Sequence, residues 1–461
     1  MSFVLRKKIH VSTLVLTGLY NIVLGLLSIR RPISFITILY YSLSIGLPIL
    51  GLYQMVSAYF SKNVKRYKYA SIIDGLAIFI AGIVVYRHPR DVLSITPLVL
   101  GIYGILKALI CFFNFYVYYT DRLKGQLFIL LEAIIYFIIS LLLIINPIYP
   151  ASLVLYVLGI YFITYGIVQL GNAFQALFPN RRKHKIKMTM PIFMNFLMPQ
   201  KLVYYINRVL NEQGAKSEVL TSYKENQSYD MEILIHLGVQ GFDSVGHVDV
   251  AFGNIVISYG CHDHHNTKFG GALGDGVIHF NEKSKYLNFV INERNKQLIG
   301  FGISLTESQK RKIKETLLDM ASRFEDWNTD YDKREMGLPY LGECRNYASL
   351  LSKFCRTKFF KFTSGQFKTY FIMTTNCVLL VDTLLGKSGV DLLKINGIVT
   401  PGAYCEFLNN EFSLAHSNVV SRRVYTASDV VITEDPMVDV IHDMHSPLDF
   451  INDYIFKDVD V

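Results

Sequence analysis

Two different patterns of apolar residues divide this chain. Between residues 10 and 178 the apolar residues form long runs, and charges gather in short basic clusters between the runs. Because a helix needs about 20 apolar residues to span a bilayer, these runs predict six membrane helices. They lie near residues 10–29, 33–60, 70–86, 92–118, 127–145 and 151–178. From Met231 onward apolar and polar residues alternate, which indicates the β-strands of a soluble domain.

The apolar part contains an internal repeat. A proline closes the first helix of each successive pair, a small residue precedes that proline by seven positions, and a Gly-(Leu/Ile)-Tyr motif recurs in each second helix. The prolines are Pro32, Pro89 and Pro147, the small residues are Gly25, Gly82 and Ser140, and the motif glycines are Gly51, Gly101 and Gly159. Small residues let helix backbones approach closely in lipid. The repeat therefore predicts an all-α domain of three helical hairpins.

These repeated features resemble the HdeD family of bacterial membrane proteins across residues 10 to 178. The resemblance implies a membrane module associated with acid resistance, and it implies no catalytic residues. We assign residues 1–180 to an HdeD-like transmembrane domain, through which copies of the chain could associate as a homo-oligomer.

The basic residues that flank the apolar runs predict the orientation. Fourteen Lys and Arg residues lie in the flanks on the side of the N-terminus, against four on the other side. Cytoplasmic loops carry this excess, and an even number of spans returns the chain to its starting side. The first apolar run also lacks a small-residue cleavage site, so a removed signal peptide is not expected. We expect a multi-pass cell-membrane protein with cytoplasmic N- and C-termini.

Composition agrees with this division and excludes other classes. Hydrophobic residues make up 51% of the 461 positions and charged residues 18%, whereas soluble domains carry about 25% charged residues. The six cysteines lack the spacing of a disulfide framework, which favours a reducing compartment. Much of the net charge of +9 lies in juxtamembrane clusters, so no nucleic-acid partner is expected.

The remaining residues predict an α+β domain behind a linker. Residues 181–230 form a basic, amphipathic juxtamembrane linker with a helix near 202–210, the domain spans 231–412, and 413–461 form a C-terminal extension. The predicted strands are 231–238, 245–252, 255–260, 276–280, 286–292, 298–304, 358–363 and 367–373. The predicted helices are one opened by the Thr306–Gln309 capping box, one near 345–354 and one at 377–385.

Cys377 is the first candidate for a nucleophile. An apolar strand runs through Thr375 and Asn376, which are good N-cap residue types, into an apolar helix that Cys377 opens. A helix N-terminus favours the thiolate and offers N–H groups to an oxyanion. The alternative is that Cys377 is a small buried hydrophobic residue, as most free cysteines are.

His247 is the matching candidate for a base. His247 and Asp249 lie on the strand face opposite the alternating valines, where core packing does not explain a histidine. Gly253 suits the first position of a two-residue hairpin turn, and the resulting register makes Ser258 and His262 the diagonal neighbours of His247. A thiol, a base and an orienting third group form the arrangement that nucleophilic catalysis needs.

The two segments together resemble a known superfamily. The motif Gly-His-Val-Asp-Val-Ala at 246–251, followed by a hairpin and about 130 residues later by Thr-Asn-Cys opening a helix, is similar to the circularly permuted branch of the NlpC-type papain-like enzymes. That branch includes lecithin:retinol acyltransferase-like enzymes and bacterial amidases. The resemblance implies that Cys377 is the nucleophile and His247 the base. The position of the family's third polar residue corresponds to Ser258, where several relatives have histidine, and His262 is the chemically better orienter.

Other segments offer alternative chemistry. Cys261-His262-Asp263-His264-His265 has the composition of a metal site, but consecutive histidines cannot all face one ion. Cys344 also lies near a helix start and is the alternative nucleophile. The glycine-rich stretch 270–276 lacks the lysine of a phosphate-binding loop, so we expect a flexible loop beside the site.

The sequence thus predicts a membrane-anchored cysteine hydrolase or acyltransferase that needs no cofactor or metal. It would act on an amide, ester or thioester of a lipid, a lipidated molecule or a peptide. The alternative from another class is a membrane sensor or transport module whose papain-like domain only binds a ligand.

Overall fold

The structure is a computed structural model, and it divides the chain into two compact units. One unit comprises residues 1–116 with 125–182, and the other comprises 117–124 with 183–461. The structure describes residues 3–60, 65–145, 148–177, 186–188, 221–223, 228–237, 246–294, 296–342, 344–387, 393–395, 401–412, 417–425 and 435–459.

The first unit is helical throughout its described residues. Its helices are α1 (Phe3–Arg30), α2 (Pro32–Phe60), α3 (Lys65–Arg87), α4 (Pro89–Thr120, whose last turn belongs to the second unit), α5 (Gln126–Ile145) and α6 (Ile148–Leu177). Large apolar side chains face outward, with Leu127 73% and Phe128 80% exposed. Within the part of the chain that the structure describes, three segments are long and apolar enough to cross a membrane, namely Pro32–Phe60, Pro97–Thr120 and Gln126–Ile145. This part of the chain is a membrane protein.

The small residues of the repeat lie where helices from different repeats meet. A Cβ atom at Gly25 of α1 would lie 2.6 Å from the Gly159 carbonyl oxygen of α6. A Cβ atom at Gly82 of α3 would clash with Pro48 of α2, and one at Gly104 of α4 would clash with Ser140 of α5. Only small residues permit helices to approach each other so closely. Each recurring small residue therefore joins one repeat to the next, and the third repeat to the first.

The second unit is built on a nine-stranded antiparallel sheet. Its strands in chain order are β2 (Thr221–Tyr223), β3 (Met231–Leu237), β4 (His247–Phe252), β5 (Ile255–Gly260), β8 (Val277–Glu282), β9 (Gln297–Ile303), β10 (Phe324–Asp326), β11 (Lys358–Phe362) and β14 (Val419–Tyr425). The spatial order is β10-β11-β8-β5-β4-β3-β9-β14-β2. The sheet thus includes a strand from the C-terminal region beyond residue 412, with β4 and β5 near its centre.

The described residues also form two smaller sheets. β6 (Thr267–Lys268), β7 (Leu273–Asp275) and β12 (Thr369–Phe371) form a three-stranded antiparallel sheet. β1 (Ile186–Met188) pairs in parallel with β13 (Leu393–Ile395).

Helices cover both faces of the large sheet. The helices are α7 (Lys283–Asn288), α8 (Glu307–Ala321), α9 (Asp330–Glu335), α10 (Tyr347–Cys355), α11 (Cys377–Lys387), α12 (Pro401–Phe412), α13 (Met437–His442) and α14 (Pro447–Phe450). The first face, with Val248 and Val250 of β4, packs against α8, α11 and α14. The second face, with Ala251 of β4, packs against α7 and α10. The strand alternation expected for β4 is confirmed by these two separate cores.

One predicted strand is wrong and one predicted helix lies outside the described residues. Residues 286–292 form the end of α7 and a π-helical turn, Phe289–Glu293, instead of a strand. The Glu282 carboxylate accepts hydrogen bonds from the backbone N–H groups of Ser284 and Lys285, which starts the helix. The apolar residues that follow are buried at helical spacing on the second face. The helix expected near 202–210 falls outside the described part of the chain.

Candidate functional site

The β4–β5 hairpin has the register that the sequence predicts. Phe252 pairs with Ile255, and Val250 pairs with Ile257. Gly253 begins the turn with φ of 54°, a left-handed value that its missing Cβ atom permits. This register brings the two polar residues of the hairpin together, because His247 Nε2 lies 2.9 Å from Ser258 Oγ.

Asp249 contacts the same nitrogen of His247. Its Oδ1 atom lies 2.9 Å from His247 Nε2, and the Asp249 side chain is fully buried. Residues two apart on a strand share a face, so both side chains point from β4 to the second face of the sheet. The Nε2 edge of the imidazole is thus held between a carboxylate and a hydroxyl.

The other oxygen of Asp249 is held from two sides. His236 of β3 is paired with His247 across the strands, and its Nε2 atom lies 2.5 Å from Asp249 Oδ2. The Tyr286 hydroxyl of α7 donates a hydrogen bond of 2.7 Å to the same oxygen. A buried carboxylate needs partners of this kind to remain charged. These contacts therefore fix the carboxylate in the orientation in which its other oxygen contacts His247.

Cys377 opens α11 at the end of a tightly bonded loop. The Thr375 hydroxyl donates to the Thr369 carbonyl oxygen at 2.8 Å and accepts from the Phe371 N–H group at 2.8 Å. The Asn376 carbonyl oxygen of the side chain caps the helix by accepting from the Leu379 N–H group at 3.1 Å. The predicted N-cap segment thus places the thiol in the first turn of the helix.

The thiol and the imidazole meet at the ends of these two elements. The Cys377 side chain is hydrogen-bonded to His247 and interacts with it electrostatically. α11 packs on the first face of the sheet, whereas Asp249 and Ser258 hold His247 from the second. The imidazole therefore bridges the two faces near the start of β4. The Cys377 side chain is 3% exposed, and that of His247 is 23% exposed.

Charge stabilises the protonated form of His247. Burial lowers the pKa of His247, but the electrostatic interactions and hydrogen bonds with Asp249 and Cys377 outweigh burial and raise that pKa to about 10. Burial likewise raises the pKa of Asp249, while His247 and His236 hold it well below its usual range. Asp249 thus stabilises the imidazolium that forms when His247 takes up a proton.

His262 is near His247 but does not bond to it. The two ring centroids are 6.5 Å apart, and the His262 ring stacks on Tyr347 at 5.7 Å with an interplanar angle of 19°. Burial, and then the charge of His247, lower the pKa of His262 to about 3. His262 is thus a neutral wall of the site, and the orienting contact expected of it is made by Ser258 and Asp249.

The metal-like cluster separates in three dimensions. The Asp263 carboxylate binds Lys361 at 2.6 Å, and His265 Nε2 contacts Asp330 at 2.8 Å. Among the described residues, no group of three His, Cys, Asp or Glu side chains could hold a metal ion.

The other two alternatives have distinct positions. Cys344 is buried, with φ of 52°, in the segment before α10. The glycine-rich stretch supplies β7, which pairs with β12 immediately before the Cys377 loop. The stretch lies beside the loop that leads to Cys377, but residues 273–275 form a strand there, so the expectation of a flexible loop is wrong for that part.

Sequence reasoning missed the part played by Asp249. It placed Asp249 and His247 on one strand face but searched for the orienting group only on the next strand. The signal that could have found it is the His-x-Asp spacing itself, because two residues apart on a strand point the same way. His236 gave no local signal, since it reaches the site through pairing with β3.

One known protein family matches part of the chain, mainly in the first unit. A family model described as a short repeat of unknown function, DUF308, matches residues 16–87 and 131–193. This is the HdeD-like membrane family, so the resemblance drawn from the repeated small residues is supported for the N-terminal region. No curated protein and no solved structure matches the chain.

Proposed function

We propose that this protein is a membrane-anchored thiol hydrolase or acyltransferase. The observation that carries the proposal is the contact between Cys377, at the start of a helix, and His247, whose Nε2 atom is held by Asp249 and Ser258. A nucleophile, a base and groups that orient the base are the constellation of covalent acyl transfer. The similarity to the permuted NlpC-type branch in the two anchoring motifs supports the same function and the same papain-like fold.

The proposed reaction has two steps. With the Nε2 edge of His247 held by Asp249 and Ser258, Nδ1 is the nitrogen that takes the thiol proton. The thiolate attacks the substrate carbonyl carbon, a carbon–sulfur bond forms, and the bond to the leaving group breaks as His247 returns the proton to that group. Water or an acyl acceptor, deprotonated by His247, then attacks the thioester and releases Cys377.

The first turn of α11 is proposed to stabilise the oxyanion of each tetrahedral intermediate. The first N–H groups of a helix have no intrahelical partner, and the helix dipole favours negative charge there. The Asn376 side chain engages the Leu379 N–H group, so the oxyanion would use the N–H groups that precede it. Preorganised donors of this kind contribute about 3–4 kcal/mol each to a transition state.

The substrate class follows from the proposed location. We infer six membrane spans, cytoplasmic N- and C-termini and association of copies through the first unit. A domain on the cytoplasmic side meets lipids, lipidated molecules and peptides with amide, ester or thioester bonds. It does not meet mature peptidoglycan.

The test is the reactivity of Cys377 in the full-length protein reconstituted in lipid. A small iodoacetamide probe near neutral pH should label Cys377 ahead of Cys261 and Cys355, because burial raises the pKa of the Cys261 thiol to about 12 and that of Cys355 further. Replacing His247 by alanine should remove most labelling without unfolding the protein.

Two results would contradict the proposal. Equal labelling after Cys377→Ser would exclude Cys377 as the reactive thiol. If His247→Ala left labelling intact and lowered the melting temperature by many degrees, the histidine would be structural.

The almost complete burial of Cys377 favours the alternative of a ligand-binding module. An unreactive Cys377 in the folded protein would support that alternative.

A further inference from the structure

An apolar loop of the second unit is fully exposed. Residues 336–342 follow α9 and precede α10 in the chain, and all of them are exposed. Met336 is 58%, Leu338 48%, Tyr340 44% and Leu341 68% exposed. Soluble surfaces rarely present so many large apolar side chains in succession, and such a patch marks an interaction site. We call this segment the 336–342 loop.

The helices on either side of the 336–342 loop are held together by hydrogen bonds. α9 begins with a capping box formed by Thr329 and Asp332. The Asn346 side chain before α10 donates a hydrogen bond of 3.0 Å to Asp330 of α9, and the Ser352 hydroxyl of α10 donates to Asp332. These bonds tie together the two helices from which the loop projects. The exposure of its side chains is therefore a property of the folded structure.

Basic side chains lie around the base of the loop. Arg294 and Lys296 lie over the Tyr347 ring at 5.6 and 5.7 Å from its centroid. Arg334 and Arg345 flank the loop and are exposed. Arg334 also pairs with Glu335 at 3.0 Å on the surface, where such a pair contributes little. An apolar tip with a basic base matches the two layers of an anionic membrane surface.

We propose that the 336–342 loop inserts into the interfacial layer of an anionic bilayer. Leu338, Leu341 and Met336 would enter the acyl boundary, Tyr340 would lie at the headgroup level as interfacial aromatic residues do, and the basic side chains would contact lipid phosphates. A lipid surface is the occupant that fits best, because the same chain carries helices that are apolar enough to cross a membrane.

The same loop connects to the candidate site. Tyr347, the first residue of α10, stacks on His262, and His262 is a ring neighbour of His247. The chain that follows the loop therefore leads to the wall of the site that contains His247. The proposal itself rests on the exposed loop and the membrane character of the chain, so it stands or falls independently of catalysis.

The chain's single tryptophan permits a direct test. In full-length protein with Trp327→Phe, Leu338→Trp would place the only indole on the loop. The matched control is Leu448→Trp in the same background, because Leu448 is also exposed but belongs to α14, which packs on the first face of the sheet. Both variants are reconstituted in vesicles of phosphatidylcholine and phosphatidylglycerol with brominated acyl chains.

We expect quenching of the Leu338→Trp indole to exceed that of the control several-fold. Replacing phosphatidylglycerol with phosphatidylcholine, or raising the salt concentration, should reduce it, since headgroup attraction is screened. Equal quenching of the two indoles would overturn the proposal. Protection of the Leu338→Trp indole from aqueous acrylamide without quenching by brominated lipid would also overturn it, because a protein surface would then cover the loop. Quenching that does not depend on lipid charge would overturn the assignment of an anionic surface.

Discussion

At the scale of single residues, the state of His247 depends on a balance between burial and charge. Burial alone would keep the imidazole neutral, as it does for His262, whose pKa is lowered to about 3. His247 differs because Asp249 and Cys377 contact it. Two histidines whose centroids are 6.5 Å apart therefore hold opposite protonation states at neutral pH, and only the one beside the carboxylate and the thiol can exchange a proton with a substrate.

Asp249→Asn tests this balance. Without the carboxylate charge, burial should dominate, so the pKa of His247 should fall from about 10 and the imidazolium should be lost at lower pH. A hydrogen bond to a charged group contributes about 1.5–3 kcal/mol, so we expect the labelling rate of Cys377 at neutral pH to fall roughly 10- to 100-fold. The pH at which the His247 ring loses its proton, followed by the NMR signal of the imidazole, should shift to lower pH.

Ser258→Ala serves as the control for this prediction. It removes a neutral contact to the same nitrogen, so it should lower the labelling rate less and leave the titration of the His247 ring in place. An unchanged titration of the His247 ring after Asp249→Asn would show that the carboxylate does not set the charge of His247.

At the scale of elements, the start of α11 is held by its own cap. The Asn376 side chain accepts from the Leu379 N–H group and donates to the Ile372 carbonyl oxygen at 2.9 Å. It thus fixes both the helix start and the loop that delivers Cys377. α10 has a similar cap, in which Asn346 accepts from the Ser349 N–H group at 2.9 Å, but Cys344, the alternative nucleophile, lies before that cap and outside the helix.

The two caps make a matched pair for mutation. Loss of a cap costs about 1 kcal/mol, so Asn376→Ala and Asn346→Ala should both lower the free energy of unfolding by about that amount, measured by denaturant titration. Only Asn376→Ala should also slow the labelling of Cys377. Equal labelling rates in the two variants would indicate that the cap stabilises α11 without positioning the thiol.

At the scale of the whole molecule, function depends on which side of the membrane holds the second unit. The excess of basic residues predicts the cytoplasmic side. A fluorescent protein fused after Val461 should therefore fluoresce, while alkaline phosphatase at that position should be inactive, because phosphatase needs an oxidising compartment for its disulfides.

A second fusion provides the control for topology. Alkaline phosphatase inserted in the loop at 146–150, which the predicted topology places on the opposite side, should be active. Active phosphatase after Val461 would reverse the orientation, and cell-wall peptides would then be the leading substrates.

The sequence by itself determined the features that depend on neighbouring residues. Strand alternation separated His247 and Asp249 from the valines of β4, the glycine turn set the β4–β5 register, and the Thr306–Gln309 capping box is confirmed. The recurring small residues of the first unit were also correctly assigned to close helix contacts. Each of these features follows from backbone periodicity or from a local hydrogen bond, so a single sequence contains enough information to specify it.

Only the tertiary structure decided which distant groups meet. In the folded chain, Asp249 and Ser258 contact His247, and His262 does not bond to it. Strand pairing brings His236 to the Asp249 carboxylate. Helices of different repeats pack against each other through the small residues. The tertiary structure also turned residues 286–292 into helix, because the second face of the sheet buries that segment at helical spacing. These outcomes depend on how the sheet twists and which faces are covered, and those are properties of packing between segments far apart in the chain.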